Sequence, residues 1–139
     1  MEYLVISKLD NKVLTWNSTN NNLEMRTRDD SNLWQRWMVK MSSTVSAQML
    51  NVGSNKTLAS WGLSDFELGA ADGGGWVTIR ATGGIIYDIN WNGGKPAAFD
   101  RGWSTAEGKK LGIWNEHGAS NQRWKLEPLS NYYDYHYYY

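Results

Sequence analysis

Apolar side chains along this chain come in short runs that turn residues interrupt roughly every ten positions. Tyr3 to Leu9, Ala47 to Val52 and Ile85 to Trp91 are apolar or alternate apolar with polar. A second set, Leu23 to Thr27, Phe66 to Ala70 and Lys110 to Trp114, follows further along. Gly, Asn, Asp and Ser fill the gaps, and no segment spaces its apolar residues as a helix does. The pattern predicts an all-β chain of short strands and turns.

The runs belong to a repeat. Asn11-Lys12 precedes Val13-Leu14-Thr15-Trp16, and 44 residues on Asn55-Lys56 precedes Thr57-Leu58-Ala59-Ser60-Trp61. A looser copy stands 39 residues further, Gly94-Lys95 followed by Pro96-Ala97-Ala98-Phe99-Asp100. Each unit closes on a tryptophan with a strand-like tail, at Trp37 to Met41, Trp76 to Arg80 and Trp124 to Glu127. Four strands in each of three units predict about twelve strands. The unit boundaries fall at about residues 1–41, 42–82 and 83–130. One such unit cannot bury its own apolar face, so three copies are expected to close around a shared core with the closing tryptophans as core layers.

Composition narrows the function. At 139 residues with 41% hydrophobic content, the chain holds one domain and one core. Its 14 basic and 14 acidic side chains balance, which removes the field that draws proteins to nucleic acid or anionic membranes. Cysteine is absent, so disulfides, thiolate nucleophiles and Cys-ligated metals are excluded. The opening MEYLVISKLDNK lacks the basic start and long apolar stretch of a secretory leader, and no run reaches membrane-spanning length. Nine Trp, eight Tyr and fourteen Gly stand beside two Phe. Indole and phenol pack on one side and offer a polar atom or a flat face on the other, which suits a surface for hydroxylated ligands.

The endings Gln35-Arg36-Trp37 and Gln122-Arg123-Trp124 resemble the QxW signature of ricin-B-type β-trefoil lectins, over residues 1 to about 130. Val13 to Asn17 and Trp114 to Trp124 are similar to the haemagglutinin components of clostridial toxin complexes and to trefoil modules of bacterial insecticidal toxins. The resemblance implies a β-trefoil of three pseudo-repeats that binds carbohydrate, with galactose or N-acetylgalactosamine favoured.

A pyranose offers vicinal hydroxyls along its edge and, in galactose, a C–H patch on one face. Its site needs a carboxylate to accept two hydroxyl protons, an amide to donate back and an aromatic ring for the face. The family pattern supplies an Asp, an aromatic about fifteen residues later and an Asn-Gln before the closing Trp. In the third unit Asp100, Trp114, Asn121 and Gln122 fill these places. The resemblance implies that Asp100 takes the 3- and 4-hydroxyls, Asn121 bonds the 3-hydroxyl, Trp114 stacks and Gln122 holds the Asp carboxylate. Asp88 is the competing carboxylate, but it lies 26 residues before Trp114, whereas Asp100 lies 14 before it. Trp103 either walls the pocket or caps the barrel, and His117 reads as a solvated loop histidine before a sugar contact. The first unit has Thr15 in the Asp position, Trp34 in the Asn position and Arg26 or Thr27 in place of the ring, and is read as inactive. The second, with Ala59 or Ser60 and Asp72-Gly-Gly-Gly75, is read as structural.

An enzyme is not expected. Asp100 with Glu107 or Glu116 would be the only glycosidase pair to consider, and these sit on short loops without apolar runs to raise a pKa. No cofactor or metal is expected. The expected partners are galactosides on cell surfaces or glycoproteins, and the fold also permits a protein-binding subunit of a toxin complex or an inhibitor. Six tyrosines in the last nine residues alternate Tyr133, Tyr135, Tyr137 and Tyr139 with Asp134 and His136. That period of two suggests a strand with one buried aromatic side, which could pack across a second copy to make a homodimer or lie over its own barrel.

Overall fold

The computed structural model describes residues 2–20, 22–41, 46–59, 69–71, 77–83, 86–91, 96–100, 105–115 and 119–129, with side chains for 2–20, 22–41, 47–57, 105–111 and 119–129. The tail from 131 to 139 and Trp76 lie outside the described residues.

Twelve strands occupy the described residues, in three groups of four. The first group is β1 (Glu2–Ser7), β2 (Val13–Trp16), β3 (Leu23–Arg26) and β4 (Trp37–Met41). The second is β5 (Ser46–Asn51), β6 (Thr57–Ala59), β7 (Gly69–Ala71) and β8 (Val77–Gly83). The third is β9 (Ile86–Trp91), β10 (Pro96–Asp100), β11 (Lys109–Asn115) and β12 (Trp124–Leu129). The predicted runs match these strands to within a residue or two, except that β7 begins at Gly69 where the apolar pattern starts at Phe66, and β8 runs on to Gly83 where the expected tail ends at Arg80.

The first and last strands of each group form a closed ring. β1 pairs with β4, β4 with β5, β5 with β8, β8 with β9, β9 with β12, and β12 returns to β1 over its whole length, from Glu2 opposite Leu129 to Ser7 opposite Trp124. All six junctions are antiparallel. Closure removes the exposed edges that an open sheet would present. The second and third strands form a hairpin in each group, β2–β3, β6–β7 and β10–β11. Each hairpin joins the ring at one register point: Ile6 opposite Val13, Leu50 opposite Thr57, and Asn90 opposite Ala97. A six-stranded barrel bearing three hairpins related by a threefold pseudo-axis is a β-trefoil.

Local chemistry repeats with the strands. Asn11 and Asn55 have positive φ, 63° and 58°, which few side chains other than Asn tolerate. In the first turn the Asn11 N–H donates to Ser7 O and the Ser7 N–H to Lys12 O. In the second, Asn55 donates to Asn51 O and Asn51 to Lys56 O. The Lys12 N–H is held by Asp10 Oδ1 and the Lys56 N–H by Ser54 Oγ, the same turn made with a carboxylate and then with a hydroxyl.

The core sits where the barrel meets the hairpins. Val5, Leu14, Leu23, Met25, Trp37, Ala47, Met49, Leu111 and Trp124 pack into one cluster that draws on all three groups. Trp37 and Trp124 are fully enclosed, and the Trp37 indole N–H donates to Leu14 O at 3.1 Å, which satisfies the one polar atom the ring brings inside.

Candidate functional site

Two short 3-10 turns, Leu33–Gln35 and Ser120–Gln122, immediately precede the QxW tryptophans. Each lies against the second strand of its own unit and the first strand of the next: β2 and β5 for one, β10 and β1 for the other. Each is also stitched to the next unit through the Arg carbonyl, with Val52 N–H donating to Arg36 O at 2.8 Å and Lys8 N–H to Arg123 O at 3.0 Å. The two turns are 87 residues apart and equivalent.

Hairpin register maps the first unit onto the third. The hairpins join the ring at Val13 and Ala97, which stand opposite Arg26 and Trp114. Trp114 therefore occupies the position of Arg26 rather than of Thr27, and Leu111 that of Leu23, both packed in the core. Asp100, opposite Leu111 at the end of its strand, occupies the position of Trp16, opposite Leu23, rather than that of Thr15. Trp34 and Asn121 are both the middle residue of their 3-10 turn. Asp88 stands elsewhere, on barrel strand β9 opposite Arg80. The structure therefore brings Asp100 and Trp114 onto one hairpin, with the Asn121-Gln122 turn lying against β10. The side chains of Asp88, Asp100 and Trp114 lie outside the described set, as do Trp103, Glu116 and His117 altogether.

Asn121 and Gln122 are each 1% exposed. Asn121, expected to meet a ligand directly, is as enclosed as Gln122, expected only to support one. Gln35 shows what the Gln of this turn does when its partners are visible. Its Nε2 donates to Thr27 O at 2.9 Å and its Oε1 accepts from the Asp29 N–H at 2.8 Å. It holds main chain, and Thr15 is bonded elsewhere, through its Oγ1 to Val13 O.

The first unit has no comparable polar set. The Glu24 carboxylate is buried and spent on Arg26 and Asn17, at 2.7 and 2.8 Å. Trp34 meets Trp16 edge to face at 5.7 Å between ring centres. It lies over Gly53, where a Cβ would come within 2.2 Å of the ring. The glycine makes room for the indole where the third unit has Asn121.

The third hairpin is fastened to the first unit at its tip. Glu107 accepts the Thr27 N–H with both carboxylate oxygens, at 2.9 and 3.0 Å, and the Thr27 hydroxyl at 3.0 Å. The Gly108 N–H donates to Met25 O at 2.8 Å, with Gly108 at φ 83° beneath the Arg26 guanidinium. Lys109 and Asp10 form a salt bridge of 2.5 Å, both side chains more than nine-tenths buried. The hydrogen bond from the Thr27 backbone is the main reason that the Glu107 pKa lies below the ordinary carboxylate value. A carboxylate so held is a poor proton donor, the opposite of what a glycosidase acid requires. Sequence reading missed this clamp because its partners are 80 residues apart.

No protein-family model and no curated protein matches the chain. Solved structures do. A designed three-fold symmetric protein, ThreeFoil, superposes with a TM-score of 0.83 at 17% identity, over 92% of this chain and 99% of that one. A ricin B-like lectin of Macrolepiota procera in complex with lactose gives 0.81 at 14% identity, over 93% and 96%. A mosquitocidal holotoxin gives 0.84 at 26% identity, over 94% of this chain but only 16% of the toxin. The fold of this chain is the β-trefoil, shared with a ricin B-like lectin.

Proposed function

We propose that the protein is a carbohydrate-binding lectin that recognises galactose or N-acetylgalactosamine through its third unit. The observation that carries this reading is the placement of Asp100 and Trp114 on one hairpin beside the Asn121-Gln122 turn. Asp100 supplies the acceptor for two adjacent hydroxyls, Trp114 the apolar face, and Asn121 and Gln122 the polar inner edge. Lactose bound to the similar Macrolepiota lectin supports a galactoside as ligand. An open site of this kind binds a monosaccharide at about millimolar Kd, about −4 kcal/mol, so avidity comes from several sites on an assembly. A glycan array tests the proposal. Galactose- or N-acetylgalactosamine-terminated glycans should dominate the signal, and a flat array or a preference for unrelated sugars would refute it.

A second reading has one observation in its favour. Leu33, Trp34, Met38 and Met41 are exposed on the first unit, a surface suited to protein contact in a toxin assembly. Cell binding that persists in saturating lactose would favour it over the sugar reading.

A further inference from the structure

We infer that Leu9, in the turn after β1, is a specificity-determining residue of the third-unit site, where its side chain packs over Asn121 and meets the acetamido methyl of N-acetylgalactosamine. The inference rests on the third unit being a sugar site, and it names the ring substituent that the site prefers.

Pseudosymmetry puts Leu9 there. The junction of the first unit with the second and that of the third with the first are built alike. Trp37 stands opposite Asn51 in one, and Trp124 opposite Ser7 in the other. Val52 N–H donates to Arg36 O, and Lys8 N–H to Arg123 O. Asn55 and Asn11, each at positive φ, stand four residues after Asn51 and Ser7. In this frame Leu9 corresponds to Gly53, and Asn121 to Trp34.

The glycine shows where the leucine side chain goes. A Cβ on Gly53 would come within 2.2 Å of Trp34 Cδ1 and 3.1 Å of the Leu33 carbonyl carbon, a direction that aims at the middle of the 3-10 turn. One junction therefore sets glycine against tryptophan, and the other sets leucine against the smaller asparagine. The hydrogen bonds shift to match. Gly53 N–H sits on Leu33 O at 3.1 Å, whereas Leu9 N–H turns to Ser7 Oγ at 3.2 Å, which leaves room for a side chain beside the 3-10 turn. Leu9 packed in this way accounts for the 1% exposure of Asn121, while Leu9 keeps part of its own surface open to solvent.

Placement decides which part of the sugar the leucine meets. The Ser120–Gln122 turn lies against β10, which ends at Asp100, and against β1, which leads to Leu9. Leu9 is therefore on the side of Asn121 away from Asp100. With Asp100 on the 3- and 4-hydroxyls and Asn121 on the 3-hydroxyl, the ring carbon on that far side is C2. Galactose carries a hydroxyl there. N-acetylgalactosamine carries an acetamido group, whose methyl an isobutyl side chain shields from water. One such apolar contact discriminates by about tenfold.

Affinities of the wild type and Leu9→Ala for methyl β-galactoside and its 2-acetamido counterpart, methyl N-acetyl-β-galactosaminide, test it. The wild type should bind the acetamido sugar about tenfold more tightly. Leu9→Ala should lose that preference while its affinity for the galactoside stays unchanged. Equal weakening for both sugars would make Leu9 a support for Asn121 alone and overturn the inference, as would a preference that survives the substitution. Should Leu9→Ala fail to fold, Leu9→Asn, close to leucine in volume but polar at its tip, should show the same selective loss. A wild type that bound the galactoside without preferring the acetamido sugar would strike this inference and leave the site standing. A wild type that bound neither sugar would refute the site and the inference together.

Discussion

The Glu107 carboxylate holds Thr27 by both its N–H and its hydroxyl, joining the tip of the third hairpin to the end of a strand in the first unit. The bond links the hairpin that carries Asp100 and Trp114 to main chain that Gln35 grips from the other side. The candidate site thus depends on contacts made outside its own unit.

Because the Glu107 pKa lies below its ordinary value, its contribution to stability is present above the usual carboxylate range and is lost as pH falls through the lowered value. The Thr27 amide resonance is the natural probe. It should titrate below the range of a free glutamate, and the transition should vanish in Glu107→Gln. A Thr27 shift that moves near neutral pH would contradict the clamp.

Trp37 and Trp124 fill equivalent places in the core, at 0% and 1% exposure. Trp124→Ala is expected to cost about 3–5 kcal/mol through the cavity it leaves. Trp37→Ala should cost at least as much, because it also leaves Leu14 O without the indole N–H. Chemical denaturation measures both, and a variant as stable as wild type would contradict the shared core.

Asn11→Ala and Asn55→Ala should each destabilise by about 1–2 kcal/mol, because both turns place a side chain at positive φ. Asn→Gly at either position should be neutral or slightly stabilising. The third unit has Gly94 at the corresponding place in its sequence. Thermal melts that rank Ala above Gly would show that the turn is not built as described.

These turns explain why the fold was legible in the sequence. Asn-Lys or Gly-Lys after each first strand and Gln-Arg-Trp before two of the closing strands are local signals, and they pointed to the twelve strands. Non-local chemistry left no such mark. Nothing near Glu107 points to Thr27, and nothing near Gly53 announces that Trp34 lies over it. The choice between Arg26 and Thr27 was open in the sequence because strand spacing alone could not set the register, and the pairing of Val13 with Arg26 and of Ala97 with Trp114 closed it in favour of Arg26. The burial of Asn121 was hidden for a related reason, since an Asn before a QxW reads the same whether it lines the rim or the inner edge.

The tyrosine-rich tail bears on avidity. If residues 131 to 139 pack across a second copy, the dimer presents two third-unit sites. Deleting them should convert a dimer to a monomer on mass measurement in solution. A full-length monomer, or a dimer that persists without the tail, would rule out that assembly.

The most direct test is calorimetric titration of lactose into the wild type, Asp100→Ala and Asp88→Ala. The wild type and Asp88→Ala should bind with about millimolar Kd. Asp100→Ala should show no binding while its melting temperature stays close to that of the wild type. Binding that survives in Asp100→Ala and disappears in a folded Asp88→Ala would place the carboxylate on the barrel strand β9 and contradict the account.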